Sequence, residues 1–265
     1  MKRSTRATVA DLLAQKGRRQ LTQVLVRAPE EAAAAAAAGI DIVSVDETDW
    51  SPVYREAAPD TFMTIGLLYG FHASADDYVR AAFKAMRIGG DAVYSAASVE
   101  TIAKMFAEGI PVVSHVGLIP SRATWTGGFK AVGKTADSAL RIYEATKRLE
   151  AAGAFAVEME VVPDRVAAEI SKRTSMLVLS MGGGAGCDCQ YLFAEDILGM
   201  HDGHYPRHSK RYRNFLAEYG RLQAERVAAF SEFRRDVATS AYPGAEHIVR
   251  IADSEFAAFC GRLQD

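Results

Sequence analysis

Short runs of apolar and β-branched residues recur along the chain, and most of them are separated by stretches in which apolar positions follow a helical spacing. Short apolar runs between turn residues are typical of buried strands. The sequence therefore predicts strands at residues 21–26, 41–46, 61–68, 91–96, 111–116, 154–161, 175–181 and 191–198.

The stretches between these strands carry the residue types that begin and end helices. Pro29, Ser74 and Ser98 stand at the start of helical patterns, and a glycine closes each pattern. Strands that alternate with helices in this way pair in parallel. The number of strands predicts an α/β fold of the (β/α)8 TIM-barrel class with extra C-terminal helices, because an open doubly wound sheet usually has about five or six strands.

Three segments depart from the alternation. Residues 47–60 and 182–190 lack a clear helical pattern, and a long helical pattern runs from Ser209 to Ser240, further than one barrel helix needs. No linker separates a second domain. We therefore expect one barrel domain over residues 1–265, with residues 209–265 as a C-terminal helical extension that packs outside the barrel or against another subunit.

Composition narrows the expected partners and location. The chain is 49% hydrophobic and 24% charged with a formal net charge of -2, so neither nucleic acid nor a membrane surface is an expected partner. The alanine-rich segment 30–39 is too short to cross a bilayer, and the N-terminal residues lack an apolar signal core. The chain has 3 cysteines, an odd number, and no secretion signal is recognised, so a framework of disulfide bonds is not expected. A cytoplasmic location is expected.

Acidic residues follow the second predicted strand, at the end where TIM barrels bind their ligands. Asp46, Glu47 and Thr48 offer carboxylate and hydroxyl oxygens, which suit a hard cation such as Mg²⁺ or a polar substrate. A solvated loop with a helix-capping residue is the alternative interpretation. A one-residue shift at the strand end would exchange the two acids, so either one is a candidate to point into the barrel.

The sixth predicted strand carries Glu158 and Glu160, which are two positions apart and so face the same side. A carboxyl group in an apolar strand is costly unless it is paired or binds a ligand. Desolvation would raise the pKa of such a group, which suits a general base that removes a proton next to a carbonyl; a buried ion pair is the alternative. His115, at the end of the fifth strand, is either catalytic or a core residue.

An ordered set of motifs resembles the ketopantoate hydroxymethyltransferase family. The motifs are His115-x-Gly117-Leu118-x-Pro120, Gly127-Gly128-Phe129-Lys130, LEAAGAFAVEMEVVP ending at Pro163, a glycine-rich turn with Asp188 and Gln190, GHYP at 203–206, NFLAE at 214–218 and YPGAEH at 242–247. The similarity extends from about Ala7 to His247, and the set is more specific than any of its members.

The resemblance implies a barrel of the phosphoenolpyruvate mutase and isocitrate lyase superfamily that assembles as a homo-oligomer. It also implies transfer of a one-carbon unit from 5,10-methylenetetrahydrofolate, the co-substrate, to the enolate of a small 2-oxo acid, 2-oxoisovalerate, on the route to pantothenate. In such an enzyme Mg²⁺ chelates the oxo acid and a glutamate of the sixth strand removes the C3 proton. Glu160 stands at the position of that catalytic base.

The resemblance also implies metal-binding acids after the second, third and fourth strands and a lysine on the fourth. Glu47 stands at the first acid position and is the metal-ligand candidate, whereas Gly66 and Ala96 stand at the other two and Tyr94 at the lysine. Fewer acids predict weaker Mg²⁺ binding. Substrate contacts are expected from Asp46, Glu47, Thr48, Tyr94, His115 and Lys130, with Arg122 and the amides of residues 182–184 as further anchors for a carboxylate.

Three hypotheses about function follow. The first is a diverged family enzyme that forms a carbon–carbon bond between an oxo-acid enolate and a one-carbon unit, with Glu160 as the base. The second is an aldolase or lyase that acts on a different oxo acid, without a metal, using Tyr94, His72 or His115 as a proton donor. The third is a non-catalytic barrel that serves as a binding or assembly partner; an acid retained inside an apolar strand argues against it.

Overall fold

Eight parallel strands pair in sequence order and close into a barrel in the computed structural model, which describes residues 6–263. The strands are β1 (Leu21–Leu25), β2 (Ile42–Asp46), β3 (Phe62–Gly66), β4 (Ala92–Tyr94), β5 (Val112–Gly117), β6 (Ala156–Glu160), β7 (Leu177–Met181) and β8 (Cys189–Phe193). The last strand pairs with the first, which leaves no open edge. The predicted TIM barrel is thus confirmed.

Helices lie between most of the strands, as the alternating pattern predicts. They are α1 (Val9–Leu13), α2 (Pro29–Ala37), α3 (Pro52–Ala57), α4 (Ala75–Arg87), α5 (Val99–Ala107), α6 (Ala123–Thr126), α7 (Ala136–Ala151), α8 (Asp164–Lys172) and α9 (Ala194–Leu198). The predicted start signals are confirmed, because Pro29 opens α2 and the side chains of Ser74 and Ser98 cap α4 and α5.

Predicted assignments were wrong at two places in the barrel. The segment 47–60 contains the short helix α3, which begins at Pro52. The predicted eighth strand at 191–198 is half strand and half helix, since β8 ends at Phe193 and α9 follows directly with Glu195 and Asp196 in its first turn. Acids at a helix N-terminus interact favourably with the helix dipole, which explains why this acidic stretch is helical.

The barrel interior changes from apolar to polar along its axis. Near the N-terminal ends of the strands, inward side chains and Leu12 of α1 form an apolar plug: Leu21, Ile42, Phe62, Ala92, Val113, Ala156 and Leu177. Two positions further along, the buried residues are mostly polar: Gln23, Ser44, Thr64, His115 and Glu158. This alternation follows from the two-residue period of a strand, and it directs polar chemistry to the C-terminal end of the barrel.

The chain divides into two compact units, residues 1–213 and 214–265. The second contains α10 (Phe215–Ala238) and α11 (Asp253–Cys260), and α10 begins later than the predicted Ser209. Its side chains include exposed apolar residues such as Phe230 and Phe233. Among the helices of residues 6–263, none has both the length and the apolar character that a bilayer crossing requires.

Candidate active site

A pocket of about 180 Å³ opens at the C-terminal ends of the strands and is called the inner pocket here. Its wall includes residues from all eight strands and from the segments that follow β1 and β5. The lining residues are Leu25, Arg27, Ser44, Asp46, Gly66, Tyr94, His115, Pro120, Glu158, Glu160, Met181, Tyr191 and Phe193. Four of the predicted site residues therefore meet in one place: Asp46, Tyr94, His115 and Glu160.

His115 is the centre of a buried charged cluster in this pocket. The β5–β6 pairing sets His115 beside Glu158 and Gly117 beside Glu160. His115 Nδ1 lies 3.5 Å from Glu158 Oε2, and His115 Nε2 lies 3.4 Å from Glu160 Oε2. The Nε2–H group donates to the carbonyl of Leu118 at 2.8 Å, which fixes the ring orientation. One imidazole thus lies within ion-pair distance of both carboxyl groups.

The protonation of the cluster follows from its burial and its charges. Burial lowers the pKa of His115, but hydrogen bonds and charges from Glu158 and Glu160 outweigh burial and raise that pKa to about 9. Burial raises the pKa of Glu158, and the charges of Glu160 and Asp46 raise it further against the opposing effect of His115. At neutral pH the site therefore contains an imidazolium between two carboxyl groups.

Tyr94 extends the cluster across the pocket. Its Oη lies 2.7 Å from His115 Nδ1. When His115 is an imidazolium, Nδ1–H donates to the Tyr94 oxygen, so the phenol proton is left to donate to another acceptor. Burial raises the pKa of Tyr94 well above that of a free phenol, so the hydroxyl keeps its proton. Tyr94 is thus suited to donate a hydrogen bond or a proton to a ligand in the pocket.

The backbone around Glu160 is held in an unusual conformation. Gly117 has a φ of 91°, and a Cβ at this position would lie 2.3 Å from the Glu160 carbonyl oxygen, so only glycine permits this approach of β5 to β6. Val161 has a φ of 51°, which is rare for a β-branched residue. Strain of this kind clusters at functional sites, where it fixes the direction of a side chain.

Asp46 enters the inner pocket because the neighbouring strand ends in glycine. Asp46 pairs with Gly66 in the β2–β3 register, and a Cβ at Gly66 would lie 2.9 Å from Asp46 Oδ1. The carboxylate of Asp46 accepts a hydrogen bond from Arg27 Nη1 at 2.5 Å. The open question at the end of β2 is thus answered in favour of Asp46 as the residue that lines the pocket.

Glu47 and Thr48 lie apart from the residues that line the inner pocket. Glu47 Oε1 accepts from the backbone N–H of Leu68 at 2.7 Å, and both Glu47 oxygens lie within 3.0 Å of His72 Nε2. Glu47 therefore organises the loop between β3 and α4, with His72 as its partner. Thr48 is exposed to solvent.

A second and larger cavity, called the outer cavity here, adjoins the inner pocket. It has a volume of about 600 Å³, and Glu160 lines both spaces. Several basic side chains line it: Lys130, Lys134, His204, Arg207 and His208. The predicted site residue Lys130 thus belongs to the outer cavity.

The remaining predicted anchors lie elsewhere. The Gly183 N–H already donates to Ser180 Oγ at 3.0 Å, as in a tight turn. Arg122 donates through Nη2 to the carbonyl of Ala96 at 3.0 Å and lines another cavity, beside α7, which shares His115 with the inner pocket. Neither group lines the inner pocket.

A sequence profile described as ketopantoate hydroxymethyltransferase matches residues 48–245, which is most of the chain. The chain belongs to the ketopantoate hydroxymethyltransferase family. It is 37% identical over 183 residues to the 3-methyl-2-oxobutanoate hydroxymethyltransferase of Deinococcus radiodurans, an alignment that covers 67% of this chain and 63% of that protein. It is 35% identical over 197 residues to the protein of the same name from Thermus thermophilus, with 73% of each covered.

Wider comparisons cover almost the full chain at lower identity. The 3-methyl-2-oxobutanoate hydroxymethyltransferase of Kosmotoga olearia is 28% identical over 264 residues, which are 91% of this chain and 96% of that protein. Among solved structures, phosphonopyruvate hydrolase in complex with oxalate and Mg²⁺ aligns with a TM-score of 0.51 at 14% identity, covering 97% of this chain and 99% of the other. 2,3-Dimethylmalate lyase, of the PEP mutase/isocitrate lyase superfamily, aligns with a TM-score of 0.51 at 12% identity, covering 96% and 94%. These neighbours share the barrel fold.

The donor set does not fit the Mg²⁺ ion that the family resemblance implies. Asp46 is paired with a guanidinium, Glu47 is held by the β3–α4 loop, and Gly66 and Ala96 provide no carboxylate. No group of three or more His, Cys, Asp or Glu side chains within residues 6–263 has an arrangement that could hold a metal ion. Carboxylate oxygens are the ligands that Mg²⁺ prefers, and here most of the expected ones are absent or already paired.

Sequence reasoning missed one charged residue of the pocket. Arg27 directly follows the predicted strand 21–26 and stands two positions after the end of β1, at the same end of the barrel as the other strand-end residues. A cation directly after a strand is the signal that would have found it, because every strand end of a TIM barrel contributes to the mouth.

Proposed function

We propose that this protein is a hydroxymethyltransferase-like enzyme that enolises a small 2-oxo acid and joins the enolate carbon to a one-carbon unit from 5,10-methylenetetrahydrofolate. The observation that carries the proposal is the position of Glu160, whose side chain lines both the inner pocket and the outer cavity. A base at that junction can remove a proton from a substrate in one space and leave the carbanion facing a donor in the other.

The inner pocket is the proposed site of the oxo acid. A volume of about 180 Å³ suits a molecule the size of 2-oxoisovalerate. Glu160 removes the C3 proton, and negative charge then develops on the 2-oxo oxygen. The Tyr94 hydroxyl donates a hydrogen bond to that oxygen, because its own oxygen accepts from His115 and its proton is left for a ligand. The N–H groups of His115 are bound to Tyr94 and Leu118, so His115 stabilises the oxyanion through its positive charge.

The outer cavity is the proposed site of the one-carbon donor. Its volume of about 600 Å³ admits a larger molecule than the inner pocket does. Lys130, Lys134 and Arg207 supply positive charge, which suits the carboxylates of a folate. The new carbon–carbon bond would form beside Glu160, where the two spaces meet.

An aldolase or lyase that needs no metal is the second candidate function. It is favoured by the donor set of the inner pocket, in which Tyr94 and Gly66 stand where the resemblance implies a lysine and a metal-binding acid. The hydrogen bond between Tyr94 and His115 provides a proton donor for the cleavage or formation of a carbon–carbon bond. Glu160 keeps its role as the base in this reaction.

Exchange of the C3 proton of 2-oxoisovalerate for deuterium, followed by proton NMR in D₂O, tests the role of Glu160. We expect exchange by the wild-type protein and a loss of roughly 100- to 10,000-fold in Glu160→Gln, the range that a general base contributes. Glu169→Gln is the matched control, since Glu169 is an exposed residue of α8 paired with Arg173.

The same samples distinguish the candidate functions. Exchange together with formation of a hydroxymethylated acid when 5,10-methylenetetrahydrofolate is added supports the transferase. Turnover of another oxo acid without folate supports the aldolase or lyase. Failure to exchange or turn over any short 2-oxo acid, with no change in ligand binding in Glu160→Gln, would support the non-catalytic barrel. Homo-oligomer formation, a cytoplasmic location and a role in pantothenate synthesis are further predictions from the family.

A further inference from the structure

The charge of the inner pocket depends on one arginine. Three carboxyl groups line it, those of Asp46, Glu158 and Glu160, and the opposing cationic groups are His115 and Arg27. His115 is already engaged by both glutamates. An anionic substrate entering the pocket would therefore meet net repulsion without the Arg27 guanidinium.

The position of Arg27 is fixed by its neighbours. Tyr54 donates its hydroxyl to the Arg27 carbonyl at 2.7 Å, and the Arg27 N–H donates to Glu31 Oε2 at 2.8 Å. At the other end of the residue, Nη1 donates to Asp46 Oδ2 at 2.5 Å, and Nη1 also lies 3.6 Å from an oxygen of Asp49. The backbone and one edge of the guanidinium are thus held in place.

The other donors of the guanidinium are available to a ligand. Within residues 6–263 the hydrogen bond and ion pairs of the Arg27 side chain all involve Nη1. The side chain is 46% exposed, so its remaining N–H groups reach water or a ligand at the mouth of the barrel. The planar fork of a guanidinium matches a carboxylate in a two-point hydrogen bond, which a point charge such as lysine cannot reproduce.

We propose that Arg27 binds the carboxylate of a short-chain 2-oxo acid and that the Arg27–Asp46 pair replaces a divalent cation as the group that positions this substrate. Asp46 holds the guanidinium, and the absent side chain of Gly66 leaves the space that Asp46 occupies. Substrate binding then requires no metal ion. The proposal rests on the proposed function, because it names the anchor for the same oxo acid.

Calorimetric titration of the full-length protein in EDTA tests this proposal, with pyruvate, 2-oxobutanoate and 2-oxoisovalerate as the probes. We expect wild type to bind at least one of them, and Arg27→Gln to bind it roughly 10- to 100-fold more weakly, the loss of a charge-assisted hydrogen bond. Arg27→Lys keeps the charge and should lie between the two. Arg19→Gln is the matched control, because Arg19 also pairs with an aspartate, Asp41, but at the opposite end of the barrel.

The variant Glu160→Gln separates this inference from the proposed function. It should bind the oxo acid at least as tightly as wild type does, because one repelling carboxylate is removed, and it should lose proton exchange. Binding without any exchange by wild type would contradict the proposed function alone. The proposal on Arg27 is overturned if Arg27→Gln and Arg27→Lys, both folded by circular dichroism, bind as wild type does. It is equally overturned if wild type binds none of the three acids until Mg²⁺ is added.

Discussion

Gly66→Ala should destabilise the protein because the new methyl group and the Asp46 carboxylate require the same space. The Cβ would lie 2.9 Å from Asp46 Oδ1, which is closer than carbon and oxygen atoms approach without a bond. Asp46 must then rotate away from Arg27. An off-rotamer side chain and a lost, partly exposed ion pair together cost about 1 to 2 kcal/mol. The midpoint of thermal unfolding should fall by roughly 2 to 4 °C.

A double-mutant cycle with Asp46→Ser checks the cause. Serine lacks the Oδ1 atom that makes the 2.9 Å contact with the added methyl group, and alanine loses less backbone entropy on folding than glycine by about 0.5 to 1 kcal/mol. Gly66→Ala should therefore be neutral or stabilising in the Asp46→Ser background. Urea unfolding of the four proteins gives the coupling energy. An equal cost of Gly66→Ala in both backgrounds would refute the assignment of Asp46 to this space.

Three further predictions concern the charged and polar groups of the site. The pKa of His115 is raised from 6.5 to about 9 in the folded protein, so its stabilising contribution is complete below pH 6.5 and is lost as the pH rises through about 9. Urea unfolding should show stability falling by up to about 3 kcal/mol over this range in wild type, and less in His115→Gln; equal pH profiles would contradict a charged His115. Tyr94→Phe should slow C3 proton exchange by roughly 10- to 100-fold, since a neutral donor to the oxyanion is removed; unchanged exchange would rule out that role. Lys130→Gln should raise the KM for 5,10-methylenetetrahydrofolate and leave exchange at wild-type rates, whereas the exposed Lys172→Gln should change neither; a Lys130→Gln protein that also loses exchange would place Lys130 in the inner pocket.

The barrel could be predicted from the sequence because strand and helix periodicities alternate through most of residues 21–198. The prediction failed where a segment was too short to show a period. The helix at 52–57 and the helix at 194–198 have 6 and 5 residues, fewer than two turns each. Apolar positions in such short segments fit a strand as well as a helix, and only the surrounding packing decides between them.

Within the site, the sequence predicted residues whose position follows from strand geometry. His115, Glu158 and Glu160 lie on the neighbouring strands β5 and β6. Because side chains alternate between the two faces of a strand, the sequence pattern alone predicts that these three point into the barrel. The choice between Asp46 and Glu47 depended on the exact strand end, which a pattern does not give. It depended also on the space at Gly66, a property of the neighbouring strand that becomes visible only in three dimensions.

Arg27, Asp46 and Gly66 act as one unit at the ends of the first three strands. An aspartate introduced at Gly66 alone would not create a Mg²⁺ site, because its Cβ would meet the Asp46 carboxylate before any ligand atom reached the pocket. Replacing Asp46 as well would free the Arg27 guanidinium, a cation that competes with a metal for the same space. In the proposal that Arg27 anchors the substrate, Gly66 leaves space for Asp46 and Asp46 holds the guanidinium, so exchanging the arginine for a metal ion would require changes at all three positions.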